Sequence, residues 1–225
     1  MVAEPVRVPD TELSSGRFQA VNCTVIGLGA IGRPVSQLLA TLGIGRLQLI
    51  DFDIVVKDNL ARQGYSPADL GEPKVEAAAA AIRRLNLALP ISTVEDRFRP
   101  SQTLGQVVFC CVDSIAARAA IWRAVEPRAL FWGDGRLSGD VLRVLVACDP
   151  ATRAHYGTTL TSLVDGVIMP CATNGSLAAA TIAASLLVHQ FTRWMRKLPV
   201  DCDACMNLLA SEWTQLADTS ALAAT

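Results

Sequence analysis

The chain has 225 residues, with Lys plus Arg at 20 against Asp plus Glu at 21, and 51% hydrophobic against 18% charged residues. That balance excludes a disordered chain and a strongly basic nucleic-acid binder, so nucleic acid is not an expected partner. The length suits a single domain, and with aromatics at only 5% its core must be aliphatic and Ala-rich.

Residues 1–20 are polar and carry two prolines, and they read as an N-terminal arm without the apolar stretch of a signal peptide. Val21 to Ile26 is a short β-branched run ending at glycine, which predicts a buried strand. Ala30 to Leu42 repeats apolar residues at helical spacing and closes at Gly43. Leu47 to Ile50 predicts a second strand, 54–72 a polar loop with room for one helical turn, and Pro73 to Leu87 a helix with proline at its start. Ile91 to Val94 and Gln106 to Val112 predict two more strands. Ser114 caps a helix running to Val125. Ala129 to Trp132 predicts a fifth strand, extended by Gly133. Val141 to Ala147 follows after a turn region at Gly135–Gly139 and is expected to run antiparallel to it. A loop is expected from Asp149 to Met169, then a long helix over 174–196 that ends before Pro199. Its apolar part falls short of the roughly 20 residues a membrane span needs, so no membrane partner is expected.

Strands alternating with helices predict an α/β fold of one domain, a doubly wound, Rossmann-like and mostly parallel sheet with an antiparallel edge. The expected organisation is an arm at 1–20, the main domain at 21–200 and a C-terminal extension at 201–225. In such a fold ligands sit beyond the carboxyl ends of the strands, at the switch point. The seven cysteines are odd in number, and the first four lie in apolar runs. They read as reduced thiols and predict a cytoplasmic protein.

Gly27-Leu28-Gly29-Ala30-Ile31-Gly32 lies between a predicted strand and a predicted helix. In that context Gly27 permits a tight turn, Gly29 a close approach of phosphate, and Gly32 close packing of helix on strand. Asp51 ends the second strand, near the offset of roughly 20 residues at which a carboxylate accepts hydrogen bonds from a ribose 2′-hydroxyl. Up to this point an NAD-dependent oxidoreductase fits equally well. The next segment, Asp51-Phe52-Asp53 through Asn59, Arg62 and Gln63, is densely polar, and Lys74 and Asp113 sit on loops at the same ends of strands. Two cations and several acids around a nucleotide suit phosphoryl or adenylyl transfer better than hydride transfer.

The strings GLGAIG, LIDFDIVVKDNLARQ, GEPKVEAAAAAIRRLN and CCVDSIAARAAIW, in that order, resemble the adenylating domain of E1-like activating enzymes, the ThiF, MoeB and HesA group related to ubiquitin-activating enzymes. The resemblance runs from Val21 to Val146. It implies an enzyme that uses ATP and Mg²⁺ to adenylate the C-terminal carboxylate of a ubiquitin-like or sulfur-carrier protein ending in Gly-Gly, and it implies a homodimer. By motif it places Gly27, Gly29 and Gly32 at the nucleotide and Asp51 at the ribose. Asn59, Arg62 and Lys74 fall at the phosphates and Asp113 at magnesium, with Asp53 and Gln63 alongside. Arg118 fits the same pattern, either as a ligand or as a structural partner of Asp113. Arg7 and Arg17 are the candidates for an arginine lent to a partner's site. Cys171, before the long helix, is the candidate for a second-step thiol.

The resemblance also implies a zinc site built from two Cys-x-x-Cys pairs, but only Cys202-Asp203-Ala204-Cys205 has that spacing. One pair does not close a tetrahedral site, so zinc is not expected. Neither His155, without a nameable partner, nor His189, inside a helix, is needed for the chemistry. The alternatives are a non-catalytic partner subunit that binds a ubiquitin-like protein, and an NAD-dependent oxidoreductase.

Overall fold

A computed structural model describes residues 15–160 and 176–215. It contains one eight-stranded sheet in the order β3-β2-β1-β4-β5-β6-β7-β8. The strands are β1 (Asn22–Ile26), β2 (Arg46–Ile50), β3 (Ile91–Val94), β4 (Val107–Cys110), β5 (Phe131–Ser138), β6 (Val141–Ala147), β7 (Asp203–Asn207) and β8 (Glu212–Gln215). Pairings from β3 through β5 are parallel, and those from β5 through β8 are antiparallel. This is the expected mostly parallel doubly wound sheet with an antiparallel edge.

The helices are α1 (Ser15–Gln19), α2 (Gly32–Thr41), α3 (Lys57–Gln63), α4 (Lys74–Leu85), α5 (Ile115–Val125), α6 (Pro150–Thr158) and α7 (Leu177–Met195). Helices α2, α4 and α7 cover one face of the sheet, while α5 and α6 cover the other. Strand β4 shows why its sequence is apolar throughout. Val107 and Phe109 join the α7-side core, Val108 and Cys110 the α5-side core, and all four are buried. Phe109, Phe131 and Phe191 meet edge-on or tilted in the first core, and Trp122, Trp132 and Tyr156 do the same in the second. The few aromatics are thus concentrated at the two centres, and small alanines of α4 and α7 join the first of these cores.

Several elements differ from the sequence reading. Within the predicted arm, α1 buries Phe18 against Phe191, with ring centroids 5.9 Å apart. The predicted polar loop 54–72 holds α3, which buries none of its residues and therefore has no hydrophobic period to betray it. Gly133 extends the fifth strand as expected, but Gly135 does not turn the chain. Strand β5 continues through it to Ser138, and the turn falls at Gly139, whose φ is +60°. The predicted loop after β6 opens with α6, capped by Asp149, whose side chain accepts from Thr152 N. Residues 203–215 supply β7 and β8, which extend the sheet beyond β6. No helix among the described residues is long and apolar enough to cross a membrane.

Candidate active site

A cavity of about 490 Å³ opens at the carboxyl ends of β1, β2 and β4, where the sheet order reverses direction from β1. Gly27, Gly29, Asp51, Asp53, Asn59, Arg62, Gln63, Lys74 and Asp113 all line it, so nearly every residue marked in the sequence converges there. Gly32 lies behind the loop. A Cβ on it would stand 1.8 Å from the Gly27 carbonyl oxygen, so only glycine lets α2 start this close to β1. Gly27 itself has φ +87°, and a Cβ there would be 2.7 Å from the Cys111 carbonyl oxygen. Gly32→Ala is accordingly expected to displace the loop and to abolish nucleotide binding, read by calorimetry on protein that circular dichroism shows to be folded. Wild-type affinity would disprove the packing argument. No side chain caps α2; in its first turn the Arg33 N–H donates to the Gly29 carbonyl and the Val35 N–H to that of Ile31, both at 3.1 Å, and Pro34 has no N–H, so the helix offers an anion the positive end of its dipole rather than a set of free donors.

The acids are interlocked. Asp51 accepts the Leu28 N–H on Oδ2 at 2.6 Å and the Asp53 N–H on Oδ1 at 2.8 Å, so the glycine loop and the post-β2 loop share one carboxylate. Burial pushes the Asp51 carboxyl above its ordinary range, and these two hydrogen bonds and Lys74 only partly oppose the rise. Asp53 in turn takes the Lys74 ammonium at 2.8 Å, and the Lys74 N–H donates to the Asp53 carbonyl at 2.9 Å. Lys74, at the first position of α4, is 5% exposed and points its charge into the cavity wall. Asn59 Oδ1 accepts the Val56 N–H at 2.9 Å and so starts α3, which presents Arg62 one turn later. Asp113 is exposed on the loop after β4.

The sequence reading missed three features. Tyr65 is buried and donates to the Leu28 carbonyl at 2.8 Å, bracing the glycine loop from below. Phe52 is half exposed on the cavity wall, with the Arg97 guanidinium 3.9 Å from its ring centroid. Arg118 pairs with Asp134 of β5, a partner not foreseen, and also donates to the Val112 carbonyl and, at 3.1 Å, to that of Gly135. Asp134 is fully buried. It also accepts from Arg136 Nε at 2.8 Å and from the Tyr156 hydroxyl at 2.9 Å. Burial pushes the Tyr156 hydroxyl up to about 12, so it remains a neutral donor. Arg118 lines the cavity, so its shared carboxylate, Asp134, anchors one part of the cavity wall from behind. Nothing in the sequence marked Asp134, because its flanking glycines mimic a turn.

Cys171 lies outside the described residues, as does Arg7, and Arg17 sits exposed in α1. His189 is exposed on α7. His155, unpartnered in the sequence reading, stands 2.8 Å from Asp203.

The fold and the cavity define a doubly wound α/β protein with its ligand crevice at the topological switch point. The chain belongs to the ThiF family, which it matches over residues 11–209. It is 33% identical over 180 residues to the molybdopterin-synthase adenylyltransferase of Salmonella typhimurium, covering 73% of this chain and 72% of that one. It is 41% identical over 108 residues to the adenylyltransferase and sulfurtransferase MOCS3 of Mus musculus, covering 45% of this chain and 24% of that protein. The chain therefore spans about a quarter of the length of that relative. The crystal structure of PaaA superposes with a TM-score of 0.72 at 19% identity, covering 91% of this chain and 66% of that one. Escherichia coli MccB with ATP gives 0.72 at 17% identity, with the same two coverages. These two likenesses establish the fold.

Proposed function

We propose that this chain is an ATP-dependent adenylyltransferase acting on the C-terminal carboxylate of a sulfur-carrier or ubiquitin-like protein, and that it works as a homodimer in the cytoplasm. The observation that carries this reading is the convergence of the glycine loop, Asp51, Arg62, Lys74 and Asp113 on one crevice. Family membership and the adenylyltransferases among its relatives support it.

In this reading the triphosphate lies on the glycine loop and the α2 N-terminus, and the ribose hydroxyls donate to Asp51. The base lies against Phe52. The carrier's carboxylate is ionised at neutral pH, so no general base is required. One of its oxygens attacks the α-phosphorus, an acyl–phosphate bond forms, and the bond to pyrophosphate breaks with its electron pair leaving on pyrophosphate. The obstacle is negative charge meeting negative charge. Lys74 and Arg62 supply fixed cations for it, and the phosphates compete with Asp53 for the Lys74 ammonium. Asp113, an exposed carboxylate on the crevice wall, is the residue that would hold Mg²⁺ with the phosphates. The ion would neutralise charge on the leaving group.

The direct test is ATP–pyrophosphate exchange with candidate proteins ending in Gly-Gly. Exchange that depends on such a protein supports the reading, and tight NAD binding without ATP binding overturns it. Asp51 adds a pH signature. Ribose hydroxyls favour the ionised carboxylate, whereas burial alone favours the protonated one. Binding must therefore release a proton wherever Asp51 is still protonated. Affinity should rise as pH climbs through the elevated Asp51 pKa and then level off. Calorimetry across a pH series should show this slope in the wild type and lose it in Asp51→Asn.

A further inference from the structure

We infer that this chain fastens its outer strands with a clasp centred on Asp203, an ion pair to Arg143 and a hydrogen bond with His155, built inside the very Cys-x-x-Cys segment that resembles a zinc half-site, and that Cys202 and Cys205 do not hold a metal together.

The backbone decides the metal question. Asp203 and Ala204 belong to β7, and the Cys202 carbonyl continues the ladder by accepting the Val146 N–H at 2.9 Å. Two residues of β7, Asp203 and Ala204, separate Cys202 from Cys205, and three steps of extended chain span about 10 Å. Two thiolates on one zinc must each come within about 2.3 Å of it, which requires a turn between them. Here a strand stands in that place. Among the described residues no group of three or more His, Cys, Asp or Glu is arranged to hold a metal.

The residue between the cysteines takes over the cross-linking. Asp203 Oδ1 accepts from Arg143 Nε at 2.7 Å, and Oδ2 accepts from Arg143 Nη2 at 2.5 Å, a bidentate pair. His155 Nε2 reaches Oδ2 at 2.8 Å. The Asp203 side chain is 9% exposed, so this is a nearly buried carboxylate with both oxygens engaged. The three residues come from β6, from α6, which follows it directly, and from β7, where Asp203 lies 48 residues beyond His155. A structural metal does the same work, joining remote segments at one point. Strand β8 pairs only with β7, so the clasp secures the whole outer edge of the sheet.

The experiment uses the full chain expressed in zinc-supplemented medium. Metal analysis should find no stoichiometric zinc, and thermal unfolding should shift by less than about 1 °C on adding a strong chelator. The double variant Cys202→Ser, Cys205→Ser should behave as wild type in both measurements. Asp203→Asn should lower Tm on the order of 10 °C. It should also speed hydrogen exchange in α6, β7 and β8 while β1 to β4 stay protected. If Asp203→Asn does not fold, His155→Gln should show the same pattern of exchange with a smaller shift in Tm. One zinc per chain that disappears in the double serine variant overturns the inference. So does a chelator-induced fall in Tm, or wild-type Tm and exchange in both Asp203→Asn and His155→Gln.

Discussion

Replacing Arg62 or Lys74 by alanine is expected to slow ATP–pyrophosphate exchange on the order of 10²-fold or more, because each cation faces charge that grows as the bond to pyrophosphate breaks. The two variants should differ in stability. Arg62 is exposed on α3, an element that buries nothing, so its removal should leave unfolding unchanged. Lys74 is nearly buried, but its partner Asp53 keeps a side chain 46% open to water, so the orphaned carboxylate can be solvated. Lys74→Ala should therefore cost no more than about 1 kcal/mol. Wild-type exchange rates in both variants would refute the assignment of this crevice.

The second large effect is expected beneath the crevice. Asp134→Ala removes the only carboxylate shown between Arg118 and Arg136, and it does so at a position with no exposure. Breaking a buried pair by deleting one partner leaves uncompensated charge and costs about 3–5 kcal/mol. Here one deletion removes the shared counter-charge of two guanidiniums, which keep only neutral acceptors among the contacts described above, and the acceptor of the Tyr156 hydroxyl, so a loss within that range is expected. Denaturant unfolding measures it, and a loss below about 1 kcal/mol would show that water or another group replaces the carboxylate. Arg136→Met is the milder companion, since Arg136 is also held by the Thr159 carbonyl and hydroxyl at 3.0 Å. It should destabilise less and leave Arg118 in its ion pair.

The parallel half of the sheet was legible because its signals are local. Glycines punctuate β1 and α2, Ser114 caps α5 by accepting the Ala117 N–H, and β4 is an apolar run while β1 and β2 are largely apolar. The crevice residues were legible for a related reason. Polar side chains at the ends of apolar strands have few structural duties, so Asp51, Arg62, Lys74 and Asp113 stood out. What stayed hidden depends on tertiary pairing. Asp134 is a charge inside a strand, and Arg118 of α5 and Tyr156 of α6, brought from elsewhere, join Arg136 of the same strand in making its burial tolerable. His155 acquires its meaning from Asp203, which follows it by 48 residues. Helix α6 buries only Tyr156, and β8 is exposed throughout, so neither carries the periodicity from which an element is read.

The strand order also governs how the molecule comes together. Strand β1 pairs with β2, its neighbour in the chain, and with β4, from which the whole of β2 to β3 separates it. The hydrogen bond from Gly105 N to Thr24 Oγ1 at 2.9 Å bridges 81 residues. By contrast β5 and β6 form a hairpin around Gly139. Closing a long loop costs entropy before any contact repays it, so short-range pairings are favoured early and the β1–β4 seam late. The crevice lies on that seam. Its glycine loop comes from one side, and the wall made by Cys111, Val112 and Asp113 comes from the other. A chain emerging from the ribosome therefore displays the nucleotide loop long before it owns a binding site, and the pocket is completed only when the slowest-forming pairing closes.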